Sequence, residues 1–208
     1  GIIGRVGRRR SKPFKPAVHQ GAIHYHNDFE HVDMSQGTWL LLARNVYMLK
    51  DFVDHCHREG YSYECQGVSP RKSEALTAIR TWERLRKGDA VSPEAARLVY
   101  AHMSKSIIGH GFKELKQVTE ERLDLDTLVN KYGLKTRAIW HLALDRISDE
   151  EKEYFLAALR QGESLTGQPR IQISTIHGSK GGAADNVLLL TDLSPKPYNG
   201  YQHNQDDE

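Results

Sequence analysis

The sequence predicts an α/β protein with a parallel sheet that is interrupted by a helical insertion. A strand–helix–strand pattern fills residues 38–65, and two apolar segments flank a glycine-rich loop in residues 171–192. A long stretch of helical periodicity separates these two regions. Because two strands joined through a helix normally pair in parallel, with a right-handed crossover, we expect a parallel sheet.

Composition indicates a globular, nearly neutral protein. The 208 residues are 38% hydrophobic and 27% charged, with a formal net charge of +2. Local patches, rather than net charge, must therefore decide any binding to nucleic acid. The chain contains no apolar run of membrane-spanning length, and Cys56 and Cys65 fit no metal or disulfide pattern, so we expect a cytoplasmic protein with reduced thiols. It begins Gly-Ile-Ile without Met, which suggests a fragment.

Residues 1–20 form a basic arm that contains no acidic residue. Its cations could contact nucleic acid, or they could belong to a solvated arm. Pro13, Pro16 and the absence of periodicity favour the solvated arm.

The first α/β region begins with a short predicted strand at residues 21–27. Residues 38–43 form a continuous apolar run, which predicts a buried strand. Helical periodicity over residues 46–59 predicts a helix that ends at Gly60, and residues 61–65 form the next predicted strand.

The long helical stretch begins with a helix over residues 69–88, for which Ser69 is the predicted N-cap and Pro70 the first residue. Another predicted helix starts at Ser92, and the glycines within residues 104–117 predict a loop. Further helices are predicted at residues 123–130, 136–146 and 148–160, the last with a capping box at Ser148 and Glu151. Residues 161–170 are predicted to be a linker and residues 194–208 a terminal loop.

The glycine-rich loop after residue 176 is the strongest functional signal. It follows a predicted strand and precedes the apolar run at residues 187–190, which predicts a strand covered on both faces. Its glycines permit positive φ and close approach of a ligand; they are Gly178, Gly181 and Gly182. Its hydrogen-bond donors suit an oxyanion; they are Thr175, His177, Ser179 and Lys180. The loop therefore predicts binding of a phosphate backbone or a nucleotide, although an ordinary glycine-rich loop would explain the glycines alone.

The spacing Thr175-x-His177-x-x-Lys180-Gly181 resembles motif V of the UvrD/Rep family of superfamily-one DNA helicases, and most closely its phage-type members. The segment WLLLARNVYMLKDFVDHCHREGYSYECQG resembles motif IV of the same family, with Arg44 at the motif arginine. Arg44 follows a predicted strand, where open α/β sheets bind ligands. A surface arginine at a strand end is the alternative for that position alone.

The resemblance implies the second, RecA-like (P-loop NTPase-type) domain of an ATP-dependent helicase that moves 3′ to 5′ on single-stranded DNA. It implies that Arg44 acts catalytically as an arginine finger towards ATP. Gly181 and Gly182 would approach the nucleotide, and Thr175, His177 and Lys180 would hold the DNA. ATP and Mg²⁺ would be held mainly by an N-terminal RecA-like domain absent from this chain. Residues 21–90 and 166–208 would form the domain, and residues 91–165 its helical insertion.

Two features depart from the complete helicase pattern. The chain contains no GxxxxGK[ST] loop for the β- and γ-phosphates. Ala183 stands where the family usually has a glutamate that contacts the ribose. A stand-alone, non-catalytic module that binds nucleic acid or protein is therefore the alternative. A nuclease is not expected, because the sequence shows no carboxylate cluster with a plausible metal geometry. A metal site is not expected either, because the close histidine pairs lack a Cys or carboxylate at metal-ligand spacing.

Overall fold

The computed structural model describes residues 21–192 of the chain. Contacts divide the chain into two units, residues 1–32 and residues 33–208. The predicted basic arm at residues 1–20 and the terminal loop at residues 194–208 lie outside the described residues.

The described part of the first unit contains no strand, so the strand predicted for residues 21–27 is wrong. Its apolar side chains have no core to enter, since Ile23 is 82% and Tyr25 94% exposed. The unit contains one turn of 3₁₀-helix at Phe29–His31, which Asp28 caps by accepting a hydrogen bond from the Glu30 N–H at 2.8 Å.

The second unit contains a four-stranded sheet in which every pairing is parallel, in the order β2-β3-β1-β4. The strands are β1 (Trp39–Ala43), β2 (Tyr63–Cys65), β3 (Ile171–Thr175) and β4 (Asn186–Leu189). The predicted α/β class and its parallel sheet are confirmed. The central strands are β1 and β3, which come from opposite ends of the sequence.

One face of the sheet forms the core against helix α1 (Leu49–Glu59), which connects β1 to β2. Leu41 of β1 and Ile173 of β3 are directly paired and almost completely buried. Phe52 and Cys56 of α1 are also fully buried. As predicted, α1 ends at Gly60, which has φ +76°.

The opposite face of the sheet is much more open at β4. Val187 is 57% exposed and Leu189 50% exposed, and they pair with Leu40 and Leu42 on that face. The prediction that residues 187–190 are covered on both faces is therefore wrong for the part of the chain that the structure describes. The reason is topological, because β4 lies at the edge of the described sheet, whereas an apolar run alone cannot distinguish a central strand from an edge strand.

Seven helices follow β2 and precede β3. They are α2 (Glu74–Arg86), α3 (Pro93–Ala101), α4 (Lys105–Ile108), α5 (Gly111–Glu114), α6 (Leu125–Lys131), α7 (Trp140–Ala143) and α8 (Asp149–Arg160). The loop predicted for residues 104–117 contains α4 and α5, and the long helix predicted for residues 136–146 is reduced to α7. Within the described residues, no helix is long and apolar enough to cross a membrane.

Helix α2 begins later than predicted because two serines cap two successive turns. Ser69 caps a short 3₁₀-helix at Pro70–Lys72, and Ser73 then accepts a hydrogen bond from the Leu76 N–H at 3.1 Å. Ser73 is extended, so it separates the two turns. The apolar stripe predicted for this helix is buried in the core; it consists of Leu76, Ile79, Trp82 and Leu85.

Helix α8 returns the chain to the sheet by packing against α1. The predicted N-cap is present, since the Ser148 hydroxyl accepts the Glu151 N–H at 3.2 Å. The Glu151 carboxylate accepts a hydrogen bond from the Ser148 hydroxyl at 3.2 Å, rather than from the backbone N–H as in a complete capping box. The buried Tyr154 hydroxyl donates to the Tyr61 carbonyl at 3.1 Å, which links α8 to the residues just before β2.

The predicted linker at residues 161–170 is tied to the fold by a charge pair. Arg170 binds Glu163 with two nitrogens and also donates to the carbonyls of Met34 at 3.1 Å and Gly37 at 2.8 Å. The Glu163 side chain is only 5% exposed. This pair fixes the entry into β3, where the Trp39 N–H donates to the Arg170 carbonyl at 2.9 Å.

Candidate functional site

The connections of β1 and β3 leave the sheet in opposite directions. The chain after β1 passes through α1 to β2, beyond β3, whereas the chain after β3 reaches β4, beyond β1. Neighbouring parallel strands whose connections diverge create a crevice at their carboxyl ends, and ligands of open α/β sheets bind in such crevices. The predicted site residues follow these same two strand ends.

Arg44 is the first residue after β1. Its neighbour Ala43 accepts a hydrogen bond from the Ile176 N–H at 3.0 Å, so the two chains are adjacent where they leave the sheet. Arg44 is exposed and has no hydrogen bond or ion pair with any described residue. A guanidinium in this position is available to an anionic ligand rather than committed to the fold.

The loop after β3 begins as a tight turn organised by Thr175. The Thr175 hydroxyl accepts the Gly178 N–H at 3.0 Å, and its carbonyl accepts the Ser179 N–H at 3.1 Å. The Ser179 hydroxyl donates to the Ile176 carbonyl at 3.0 Å. Ser179 is thus used to hold the turn, whereas the hydrogen of the Thr175 hydroxyl is still available to a ligand.

The three loop glycines serve different purposes, and the positive φ that glycine permits is used at one of them. Gly181 alone of the three has positive φ, at +81°. At Gly178 a Cβ atom would lie 2.8 Å from the Ser174 hydroxyl oxygen, so a side chain there would require the Ser174 side chain to move. At Gly182 the nearest atom to a Cβ would be the Ser179 carbonyl oxygen at 3.1 Å.

The loop crosses the open face of the sheet above β1. A Cβ at Gly182 would lie 3.7 Å from Cδ2 of Leu40. Asp185 anchors the far end, because its carboxylate accepts hydrogen bonds from the Thr38 N–H at 2.9 Å and the Thr38 hydroxyl at 2.7 Å. These bonds from Thr38 lower the pKa of Asp185, which keeps the carboxylate ionised.

A cavity of about 520 Å³ lies between the loop and this sheet face. Among the described residues that line the cavity, Lys180 is the only charged one. Gln172 and Ser174 contribute polar side chains from β3. His177 and Lys180 are both exposed and form no ion pair with a described residue. The cavity can therefore accept an anionic group with hydrogen-bond acceptors, such as a phosphate.

The structure does not bring the predicted residues into one cavity, and the cavity extends towards the amino ends of β1 and β3, where Thr38 and Pro169 line it. Lys180, Gly181 and Gly182 line the cavity over the sheet face, whereas Arg44, Thr175 and His177 do not. Ala183 also lines it and offers no side-chain acceptor, so the contact with a ribose hydroxyl expected from a glutamate has no counterpart there.

The sequence interpretation missed two kinds of residue. Gln172 and Ser174 alternate with buried isoleucines in β3, and this alternation would have identified one polar face of the strand. The pairing of Asp185 with Thr38 joins residues far apart in sequence, so no local pattern indicates it.

Within residues 21–192, no group of three or more His, Cys, Asp or Glu side chains is arranged to hold a metal ion. Arg44 after β1 and Lys180 over the sheet face are the cations among the predicted site residues that could approach a phosphorylated cofactor.

Comparison of the chain with protein-family models, curated proteins and solved structures finds no match.

Proposed function

We propose that this chain is the second RecA-like domain of an ATP-dependent DNA helicase of the UvrD/Rep type. It would contribute an arginine finger to ATP hydrolysis and hold the backbone of single-stranded DNA during 3′–5′ translocation and unwinding. The observation that carries the proposal is the position of Arg44 and the Thr175–Lys180 loop, which leave adjacent parallel strands at a topological switch point.

Arg44 suits the role of a finger because its charge is exposed and uncompensated by the described residues. A guanidinium that reaches a transferring phosphoryl group stabilises the charge of the transition state, with an effect of about 10³-fold or more on the rate. The ATP itself, with Mg²⁺, would be held mainly by an N-terminal RecA-like domain outside these 208 residues.

The loop suits the role of a backbone grip because it offers donors of three kinds: the Thr175 hydroxyl and the His177 ring at the carboxyl end of β3, and the Lys180 ammonium over the sheet face. Contacts to phosphates carry no sequence information, so a motor that uses them can move along any strand. Closure of the cleft between the two domains on ATP, and its opening after hydrolysis, would move this grip along the DNA.

The two roles predict separate effects in the intact enzyme. Arg44→Ala should lower the DNA-stimulated ATPase rate by roughly 10³-fold or more while leaving affinity for single-stranded DNA within about threefold. Lys180→Ala should lower the affinity for single-stranded DNA. It should also make the plot of log affinity against log salt concentration less steep, by about the amount that one phosphate contact contributes.

Arg137→Ala is the matched control for both measurements, because Arg137 is exposed and already paired with Asp126 at 2.6 Å. Fluorescence anisotropy over a range of salt concentrations and a coupled ATPase assay give the two readouts. An unchanged ATPase rate for Arg44→Ala would exclude the finger, and an unchanged salt slope for Lys180→Ala would exclude the grip.

A second candidate is a non-catalytic module that binds nucleic acid through the same loop. Two observations favour it: the 208 residues contain no GxxxxGK[ST] loop, and Ala183 cannot accept a hydrogen bond from a ribose. Sequencing the reading frame upstream of Gly1 distinguishes the candidates. An in-frame GxxxxGK[ST] followed by an acidic box supports the helicase, and a start codon beside Gly1 supports the module.

A further inference from the structure

A second cavity, of about 310 Å³, lies between the end of β2, the start of α2 and residues 165–169. Its charged lining residues are Glu64, Arg71, Lys72 and Arg80. Lys72 binds Glu64 at 3.0 Å, so this cation is compensated. Three cations against one carboxylate give the cavity a formal charge of +2.

Arg71 carries a charge that the described residues leave without an acidic partner. Its Nη1 donates to the Ser62 hydroxyl at 3.1 Å, and its Nη2 is buried with no hydrogen-bond partner. Arg71 as a whole is half-buried, but most buried polar atoms in proteins are hydrogen-bonded. A guanidinium in this condition is therefore unusual for a purely structural residue.

Arg80 adds a second unpaired guanidinium to the same cavity. It forms no hydrogen bond or ion pair with any described residue. Burial, and then the nearby charge of Arg80, lower the pKa of Arg71. Two like charges beside one another destabilise the fold, and an anion between them would relieve the repulsion.

The cavity lining also includes neutral residues. Gly167 and Gln168 both line the cavity, and neither backbone N–H donates a hydrogen bond within the described part of the chain. Arginines and backbone amides are groups that bind phosphate oxygens in proteins. A carboxylate ligand would match the charge equally, but tetrahedral phosphate offers more oxygens to several donors around one cavity.

We propose that the cavity between Arg71, Arg80 and residues 166–168 binds a phosphate group, either free or within a nucleic-acid strand. This site is separate from the loop after β3 and does not depend on the helicase assignment. The two cavities share Gln168 and Pro169 in their walls, so they are neighbours.

The test uses the purified chain with two probes, inorganic phosphate and a short oligothymidylate. Isothermal titration gives the affinity of each probe for the wild type, Arg71→Gln, Arg80→Gln and the control Arg137→Gln. Each cavity variant should weaken binding of at least one probe by roughly tenfold, since a hydrogen bond to a charged group contributes that much. Arg137→Gln should match the wild type.

The two probes identify the source of the phosphate. Loss of phosphate binding indicates a free phosphate or nucleotide ligand, whereas a loss confined to the oligonucleotide indicates a strand phosphate. If the wild type binds neither probe, or if both variants bind like Arg137→Gln, the proposal is wrong.

Thermal unfolding separates a binding role from a structural one. Without ligand, Arg80→Gln should unfold at the same temperature as the wild type or higher, because it removes a repulsion but no hydrogen bond or ion pair with a described residue, and glutamine keeps part of the side-chain stem. A clear drop in melting temperature would instead assign Arg80 to the fold and overturn the proposal. Since Arg80 makes no bond to the described residues, this variant decides the question even if Arg71→Gln fails to fold.

Discussion

Gly60 closes helix α1 at the point where α1 packs against α8, and its replacement by alanine tests that packing. Gly60 has φ +76°, and a Cβ built on it would lie 2.4 Å from the carbonyl carbon of Ala157 and 2.5 Å from the backbone nitrogen of Ala158. Both contacts are with backbone atoms, which cannot rotate away. Alanine at this position must therefore push α8 away from α1.

Gly60→Ala should lower the free energy of unfolding for two reasons, the backbone conformation and the packing against α8. A non-glycine residue in the left-handed region costs about 1–2 kcal/mol. Forcing extra volume into a packed interface costs about 1–3 kcal/mol more, so the free energy of unfolding should fall by about 2–5 kcal/mol.

Gly162→Ala is the matched control, because Gly162 follows α8, has φ +71° and would place its Cβ in open space. In Gly162→Ala the free energy of unfolding should fall by about 1–2 kcal/mol, which is the cost of the left-handed backbone conformation without a packing clash. Urea denaturation followed by far-UV circular dichroism measures both variants. If they lose equal stability to within about 0.5 kcal/mol, the close approach of α1 and α8 at Gly60 is refuted.

Two further predictions concern the charge pair at β3 and the thiols. Glu163→Gln should reduce the free energy of unfolding by about 3 kcal/mol, because it leaves Arg170 without its buried partner. A double-mutant cycle with Arg170→Gln should give a coupling above about 1 kcal/mol, and additive effects would contradict the pairing. Burial raises the pKa of the Cys56 thiol to about 12, so a thiol reagent should label only Cys65 in the native protein and both after urea. Rapid labelling of both thiols in the native protein would show that Cys56 of α1 is not buried in the core.

Sequence periodicity was sufficient for the α/β class and for the elements with strong local signals. The run at residues 38–43 predicted β1, and the apolar spacing with Gly60 predicted the end of α1. The capping box at Ser148 and Glu151 predicted the start of α8. These signals succeeded because each depends on hydrogen bonds or side-chain spacing within a few residues.

Sequence patterns gave wrong boundaries where two capping residues lie close together, and a wrong element where glycines suggested a loop. Ser69 did cap a turn, but Ser73 interrupted it and set the real start of α2. Residues 104–117 looked like a loop because of their glycines, yet Gly111 lies within α5, where a Cβ would be 1.8 Å from the Tyr132 carbonyl oxygen. Space, rather than turn geometry, requires that glycine, and space is decided by tertiary packing.

The sequence by itself determined which residues carry charge and donors, and that Arg44 and the Thr175–Lys180 loop each follow a strand. Only the tertiary structure decided that their strands are neighbours, because the order β2-β3-β1-β4 depends on long-range pairing. It also decided that Val187 and Leu189 lie on an open edge and that Arg71 and Arg80 share a cavity. The physical reason is that a strand or helix is specified by its own residues, whereas a site is specified by distances between residues that the sequence places far apart.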